Sequence, residues 1–309
     1  MAARLILNAD DFGLTRGINR AVAELHAAGA LTSATLMANG PALDDAVAIA
    51  HAHPTLGVGC HVVLTDGLPI SHPESIPTLL GPNGKIFRSS LADFLIAVLR
   101  GKVSEDDIAR EALAQIQRLQ RSGIDVTHID THKHTHILPA VARPLLFVAE
   151  RTGIGAIRNP FEQAWSLRIG RSGFTRRTQV AIMARLRSHF MRLPQIRSGA
   201  VLTTDGTIGI SATGRLDATT LRAALAAMPD GLWEFVCHPG YNDADLDAIT
   251  TRLRGSRDIE REALLGVFTN ISPHPSAPEL IHYGNIGTMG TLRALGQHTA
   301  NTGHERIIT

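Results

Sequence analysis

The chain has no run of about 18 apolar residues, which excludes a membrane-spanning helix. It has only two cysteines, too few for a disulfide framework, so a reducing, cytoplasmic setting is expected. Its formal charge is only +2, which argues against a nucleic-acid-binding protein. The apolar start meets Asp10 and Asp11 too soon for a secretory signal. No internal repeat and no domain boundary stand out. What is present is 309 residues with 44% hydrophobic content, enough for a sizeable core. Cys60 and Cys237 each precede a histidine, and strand alternation turns them away from it. Both are expected to be buried small apolar residues.

Short apolar strands alternate with helical segments almost throughout. Strands are expected at residues 4–9, 33–38, 56–63, 125–130, 155–159, 200–204 and 232–237, with a last short one at 281–285. Helices are expected at 17–28, 42–53, 139–152, 216–228 and 246–265. Two more lie between 88 and 122, the second capped by Ser104 with acids in its first turn. Residues 65–88 are rich in Pro and Gly and read as a long functional loop. This alternation predicts an α/β fold: a (β/α) barrel-like single domain over residues 1–287, with about seven parallel strands. A doubly wound open sheet is the alternative. Residues 288–309 are small, polar and Gly/Thr-rich, and are expected to form a mobile tail.

Residues 127–136 hold His128, Asp130, His132, His134 and His136, spaced two apart. An extended chain would point all five to one side. Imidazole is the commonest metal ligand and carboxylate a frequent companion. Five such groups are costly to bury unless a metal or a polar network satisfies them. The plainer reading is a solvated loop. Against it stands a second set of polar residues at the ends of other strands: Asp10 and Asp11 on the first, His61 on the third, Arg158 on the fifth and His238 on the seventh. In a parallel barrel those ends converge on one rim, where active sites are built. Adjacent carboxylates repel unless a cation or proton separates their roles, so one of Asp10 and Asp11 suits metal binding and the other suits a base. Pro239-Gly240 fixes a turn after His238, which suits a general acid/base.

Four segments together carry a family resemblance: Ala9-Asp10-Asp11-Phe12-Gly13, Gly59-Cys60-His61, His128 through His136, and Cys237-His238-Pro239-Gly240-Tyr241. In this order they resemble the motifs of YdjC-like carbohydrate deacetylases, over residues 4–286. Chitooligosaccharide deacetylases and hopanoid-biosynthesis-associated deacetylases are both similar, and His132-Lys133-His134 leans toward the latter. The resemblance implies metal-dependent removal of acetyl groups from N-acetylated sugars, giving acetate and a free amine. It implies a metal on Asp11, His61 and His132, Asp10 as catalytic base, His238 as the acid-side histidine, and Arg158 as the arginine that orients base or substrate. One carboxylate with two imidazoles favours Zn²⁺, although the resemblance also admits Mg²⁺. Asp130, His128, His134 and His136 are expected to support the ligands or face substrate.

Residues 163–204 carry eight arginines and no acidic residue, mixed with Val180, Met183, Leu186, Phe190 and Met191 among others. The plainer reading is a lid or packing segment, at a homodimer contact or elsewhere. The sharper one is peripheral contact with an anionic membrane at its inner face. Two other functions compete with deacetylation. A phosphoesterase or amidohydrolase on a similar barrel usually opens with His-x-His on its first strand, where this chain has Asp10-Asp11. A non-catalytic metal- or sugar-binding module has no need of His238 beside paired aspartates.

Overall fold

A computed structural model describes residues 3–169, 174–269 and 277–286. Seven parallel strands form one sheet that curls into a half-barrel: β1 Arg4–Phe12, β2 Ser33–Leu36, β3 Gly57–Val62, β4 Ile129–Thr131, β5 Gly206–Ile208, β6 Leu232–Cys237 and β7 Glu279–Leu280. The order is β4-β3-β2-β1-β6-β5, with β7 pairing the start of β1. Isolated bridges Ile129–Ile157, Ala156–Leu202 and Glu162–Thr207 carry the curl from β4 round to β5.

Twelve α-helices are present among the described residues. They are α1 Arg16–Ala27, α2 Leu43–Ala52, α3 Leu91–Leu99, α4 Glu105–Arg121, α5 Pro139–Thr152, α6 Ala164–Leu167, α7 Phe174–Met183, α8 Arg187–Phe190, α9 Pro194–Ser198, α10 Ala218–Ala227, α11 Ala244–Asp247 and α12 Arg257–Phe268. Helix α1 starts where the Thr15 hydroxyl accepts from the Ile18 amide, and buries Ile18, Val22 and Leu25. Helix α4 is capped by Ser104 and buries Ile108, Ala112, Ile116 and Leu119. Two polar residues on that buried face anchor the chain after β3. Gln115 bonds both backbone groups of Val63, and Glu111 accepts from the Ile70 and Ser71 amides. Thus the long 65–88 loop is tied to a rigid helix.

Several boundaries differ from expectation. Residues 155–159 and 200–204 make only isolated bridges, Ile157 to Ile129 and Ala156 to Leu202. Pro160 offers no N–H for a ladder, and the Asn159 side chain takes the Thr204 carbonyl and the Phe161 amide instead. Strand β5 begins at Gly206, beyond the strand expected at 200–204, and its ladder partner there is Trp233 of β6. The expected helix 246–265 is two helices, α11 and α12, with a single turn at Arg254–Ser256 just before the second. The last strand lies at Glu279–Leu280, and Tyr283–Asn285 is a one-turn helix capped by the His282 side chain. The tail expected from residue 288 lies outside the described residues.

Within the arginine-rich window, Val180, Phe190 and Leu193 are buried, and Met183, Leu186, Met191 and Ile196 pack against the core. This window therefore spends most of its described apolar surface inside the fold, which favours the packing reading. No helix among the described residues is long and apolar enough to cross a membrane.

The barrel interior is built in layers, because alternate residues of each strand point inward. Its floor is Ile6, Ala156, Leu232, Ile281, Tyr283 and Ile286. Two residues further along the strands come Asn8, Glu234 and His128, then Asp10, Thr35, His61 and Asp130. The interior turns from apolar to charged toward the strand C-termini. Cys60 and Cys237 are fully buried on the opposite faces, as expected, and burial pushes both thiols up in pKa.

Candidate metal centre at the barrel mouth

Neighbouring strand residues normally face opposite ways, yet Asp10 and Asp11 both reach the mouth. The register of β1 against β2 shifts between Ala9 and Phe12, and Asp11 adopts a left-handed backbone with φ 66°. Such a bulge re-aims a side chain, and a non-glycine residue holds this conformation only where its surroundings enforce it.

Asp11, His61 and His132 form a group able to hold a metal ion. Asp11 Oδ1 lies 3.6 Å from His61 Nε2 and 3.4 Å from His132 Nδ1, and the two nitrogens are 3.3 Å apart. Donors about 2.1 Å from a tetrahedral ion are separated by about 3.4 Å, so three corners of such a site are already at working distance. The other nitrogen of His61, Nδ1, is 2.7 Å from Asp130 Oδ1. A carboxylate behind a ligand histidine fixes its tautomer and presents the free nitrogen forward, the usual support for a metal-binding imidazole.

The electrostatics fit a cation. Arg158 is fully buried. It donates to both oxygens of Asp10 at 2.7 and 2.9 Å and to Glu234 at 2.8 Å, and pairs with Asp130. Arg257, also fully buried, donates to Asp11 Oδ2 at 2.5 Å. Burial alone would raise the carboxyl pKa values. The Arg158 cation instead holds Asp10 far below the usual range, and Arg257, with His132, does the same for Asp11. Burial keeps Glu234 and Glu260 raised, against the pull of Arg158 and His238 respectively. Asp10, Asp11 and Asp130 thus outnumber the two arginines even before those glutamates are considered. Burial disfavours a charged His61, but Asp130 and Asp10 prevail and push its pKa up to about 9. Where no metal is bound, a proton on this ring balances the charge.

His238 follows β6 and is nearly buried. Its Nε2 stands 3.8 Å from Asp10 Oδ2, and its Nδ1 lies 4.0 Å from Glu260 Oε2. Glu260 also accepts from the His238 amide at 2.6 Å, fixing the turn.

The expected row of five parallel side chains breaks at His132. The chain leaves the extended form there and passes through short 3-10 turns over His132–Ile137, kinked at left-handed Lys133 and His134. Asp130 and His132 reach the mouth. His128 lies a layer deeper, stacked on Tyr283 at 3.9 Å and within 3.3 Å of Asn8, whose amide donates to Asp10. His136 is fully buried against Thr131, and burial together with the nearby Arg158 charge pushes it down to about 3. His134 is half-buried, and its pKa is lowered by the same two causes. Neutral rings suit a supporting role for these three.

Sequence reasoning missed Glu234, Glu260 and Arg257. Glu234 carries a visible signal: a lone acid in the apolar run of β6, burdensome unless paired. Tyr283 donates to its other oxygen at 2.5 Å. Arg257 and Glu260 lie among many charged residues around the start of α12, where nothing local sets them apart.

Fold and site together define a parallel α/β half-barrel with a metal-competent Asp/His cluster at its mouth. The family model described as YdjC-like protein matches residues 4–269, and the chain belongs to this family. A carbohydrate deacetylase of Brevibacillus brevis is 43% identical over 147 residues, 48% of this chain and 56% of that protein. A chitooligosaccharide deacetylase of Enterobacter sp. is 39% identical over 151 residues, 48% of this chain and 57% of that protein. The chain thus spans somewhat over half the length of these relatives. A carbohydrate deacetylase of Thermoanaerobacter pseudethanolicus is 27% identical over 263 residues, 84% of this chain and 90% of that protein. A solved structure from Enterococcus faecalis, provisionally described as a cellobiose-phosphate cleavage protein, has a TM-score of 0.73. It is 23% identical and covers 93% of this chain and 99% of that one, which speaks to fold alone.

Proposed function

We propose that the chain is a metal-dependent deacetylase that hydrolyses the N-acetyl group of an amino sugar, carried on an oligosaccharide or a glycolipid. The observation that carries this reading is the pairing of the Asp11–His61–His132 trio with Asp10 and His238, two proton-handling groups 3.8 Å apart beside it. One carboxylate and two imidazoles favour Zn²⁺ over the harder Mg²⁺. Asp11, His61 and His132 would hold the ion, whose chemistry there would be to polarise the acetamide carbonyl and acidify a water.

The chain's own residues handle the protons. Arg158 grips both Asp10 oxygens and keeps this carboxylate ionised, so it is ready to accept a proton from the attacking water. His238, with Nε2 toward Asp10 and Glu260 behind it, is placed to donate to the leaving amine. The deep glutamate Glu234 shares the Arg158 charge and moderates its hold on Asp10. The names of the relatives support an N-acetylated sugar as substrate.

The test is release of acetate and a free amine in equal amounts from N-acetylglucosamine oligomers and N-acetylated glycolipids. Phosphate release from phosphorylated sugars instead would replace the proposal with a phosphoesterase. A metal-loaded chain inert on every substrate would leave a binding module.

A further inference from the structure

Among the described residues Arg257 is, with Arg158, one of the two largest fully buried side chains, and it handles none of the protons of the proposed reaction. Its Nη2 donates to Asp11 Oδ2 at 2.5 Å, while Asp11 Oδ1 faces His61 and His132. The two aspartates are therefore treated differently. Arg158 takes both oxygens of Asp10, whereas Arg257 takes one oxygen of Asp11 and leaves the other. Arg257 Nη1 also lies 3.4 Å from the His238 carbonyl, and the Gly240 amide donates to the Arg257 carbonyl at 3.2 Å. A Cβ at Gly240 would sit 3.0 Å from Arg257 Cδ, so the glycine after Pro239 makes room for this side chain. Asp11 itself needs outside support, because its left-handed backbone, with φ 66°, is strained for a residue other than glycine.

Resting on the metal-centre reading, we propose that Arg257 is a positioning residue that restricts Asp11 to one-oxygen coordination. A carboxylate free at both oxygens can chelate through two, which suits larger, oxygen-preferring ions. With Oδ2 occupied, the site offers one oxygen and two nitrogens. That set favours Zn²⁺ over Mn²⁺. Arg257 thereby sets metal preference, and through the His238 carbonyl it ties the same aspartate to the turn that carries the histidine.

The test is the ratio of Mn²⁺ to Zn²⁺ dissociation constants, measured by chelator competition on the wild-type chain and on R257M and R257K. In R257M the freed Oδ2 should improve Mn²⁺ binding relative to Zn²⁺, and the ratio should fall at least tenfold. R257K keeps a donor within reach of Oδ2 and should stay within threefold of wild type. A purely structural role would weaken both ions alike, so an unchanged ratio in folded R257M overturns the proposal. A second reading needs no variant: in crystals of the wild-type chain with Mn²⁺, Asp11 should bind through Oδ1 alone with Oδ2 still on Arg257. Two-oxygen chelation overturns the proposal. A wild-type chain that binds neither ion at Asp11, His61 and His132 overturns the metal-centre reading and this role with it. Binding there with an unchanged R257M ratio overturns only the role of Arg257.

Discussion

Replacing Asp130 with Asn probes how the His61 ligand is held. Asp130 is fully buried, with Oδ1 2.7 Å from His61 Nδ1 and Oδ2 paired to Arg158. An amide cannot serve both neighbours. With its oxygen toward His61, its NH₂ meets the Arg158 guanidinium, donor against donor. With its NH₂ toward His61, it requires an unprotonated Nδ1, which puts the proton of the neutral ring on the nitrogen needed for the metal. The first orientation leaves the Arg158 guanidinium without its acceptor, and the second blocks the metal-binding nitrogen. Loss of such a supporting carboxylate generally weakens metal affinity by about 10–100-fold, or about 1.4–2.7 kcal/mol. Arg158 keeps Asp10 and Glu234, so the fold should survive. The assay is Zn²⁺ competition against a chromophoric chelator, with circular dichroism to verify folding. Affinity within twofold of wild type in a folded D130N chain would refute the reasoning.

Two further changes separate chemistry from architecture. Asp10→Asn should lower turnover by at least about a hundredfold, the usual worth of a general base, while Zn²⁺ affinity stays within threefold. Full activity would remove Asp10 from the mechanism. Gly59→Ala should destabilise the fold, because the added Cβ would lie 2.5 Å from His128, a ring already fixed by Tyr283, Thr127 and Asn8. Overpacking of this kind costs about 1–3 kcal/mol, and thermal melting should fall by about 2–6 °C. An unchanged melting temperature would show that the His128 layer is looser than the contacts suggest.

The parallel half-barrel was legible because apolar runs and helical periods alternate with little interruption, and β1, β3 and β6 lie close to where the pattern puts them. What failed were elements held by single tertiary contacts: residues 155–159 and 200–204 carry strand-like composition, but Pro160 and the Asn159 side chain limit their pairing to isolated bridges. The polar residues expected on one rim do meet there, since the strand ends that carry them converge. The row of histidines misled in one respect. Period-two spacing implied one extended face, whereas two left-handed residues after His132 turn the chain away. Arg257 was invisible because it reaches Asp11 from a helix 246 positions later in the chain, and no local pattern records such a contact.

The most direct measurement is acetate release from an N-acetylglucosamine oligomer by metal-stripped protein titrated with Zn²⁺. The expected result is no activity at the start, then a rise in proportion to bound metal that saturates at one ion per chain, with one free amine per acetate. Undiminished acetate release by the fully stripped chain, or none from the fully loaded one, would contradict a metal-dependent deacetylase at this mouth.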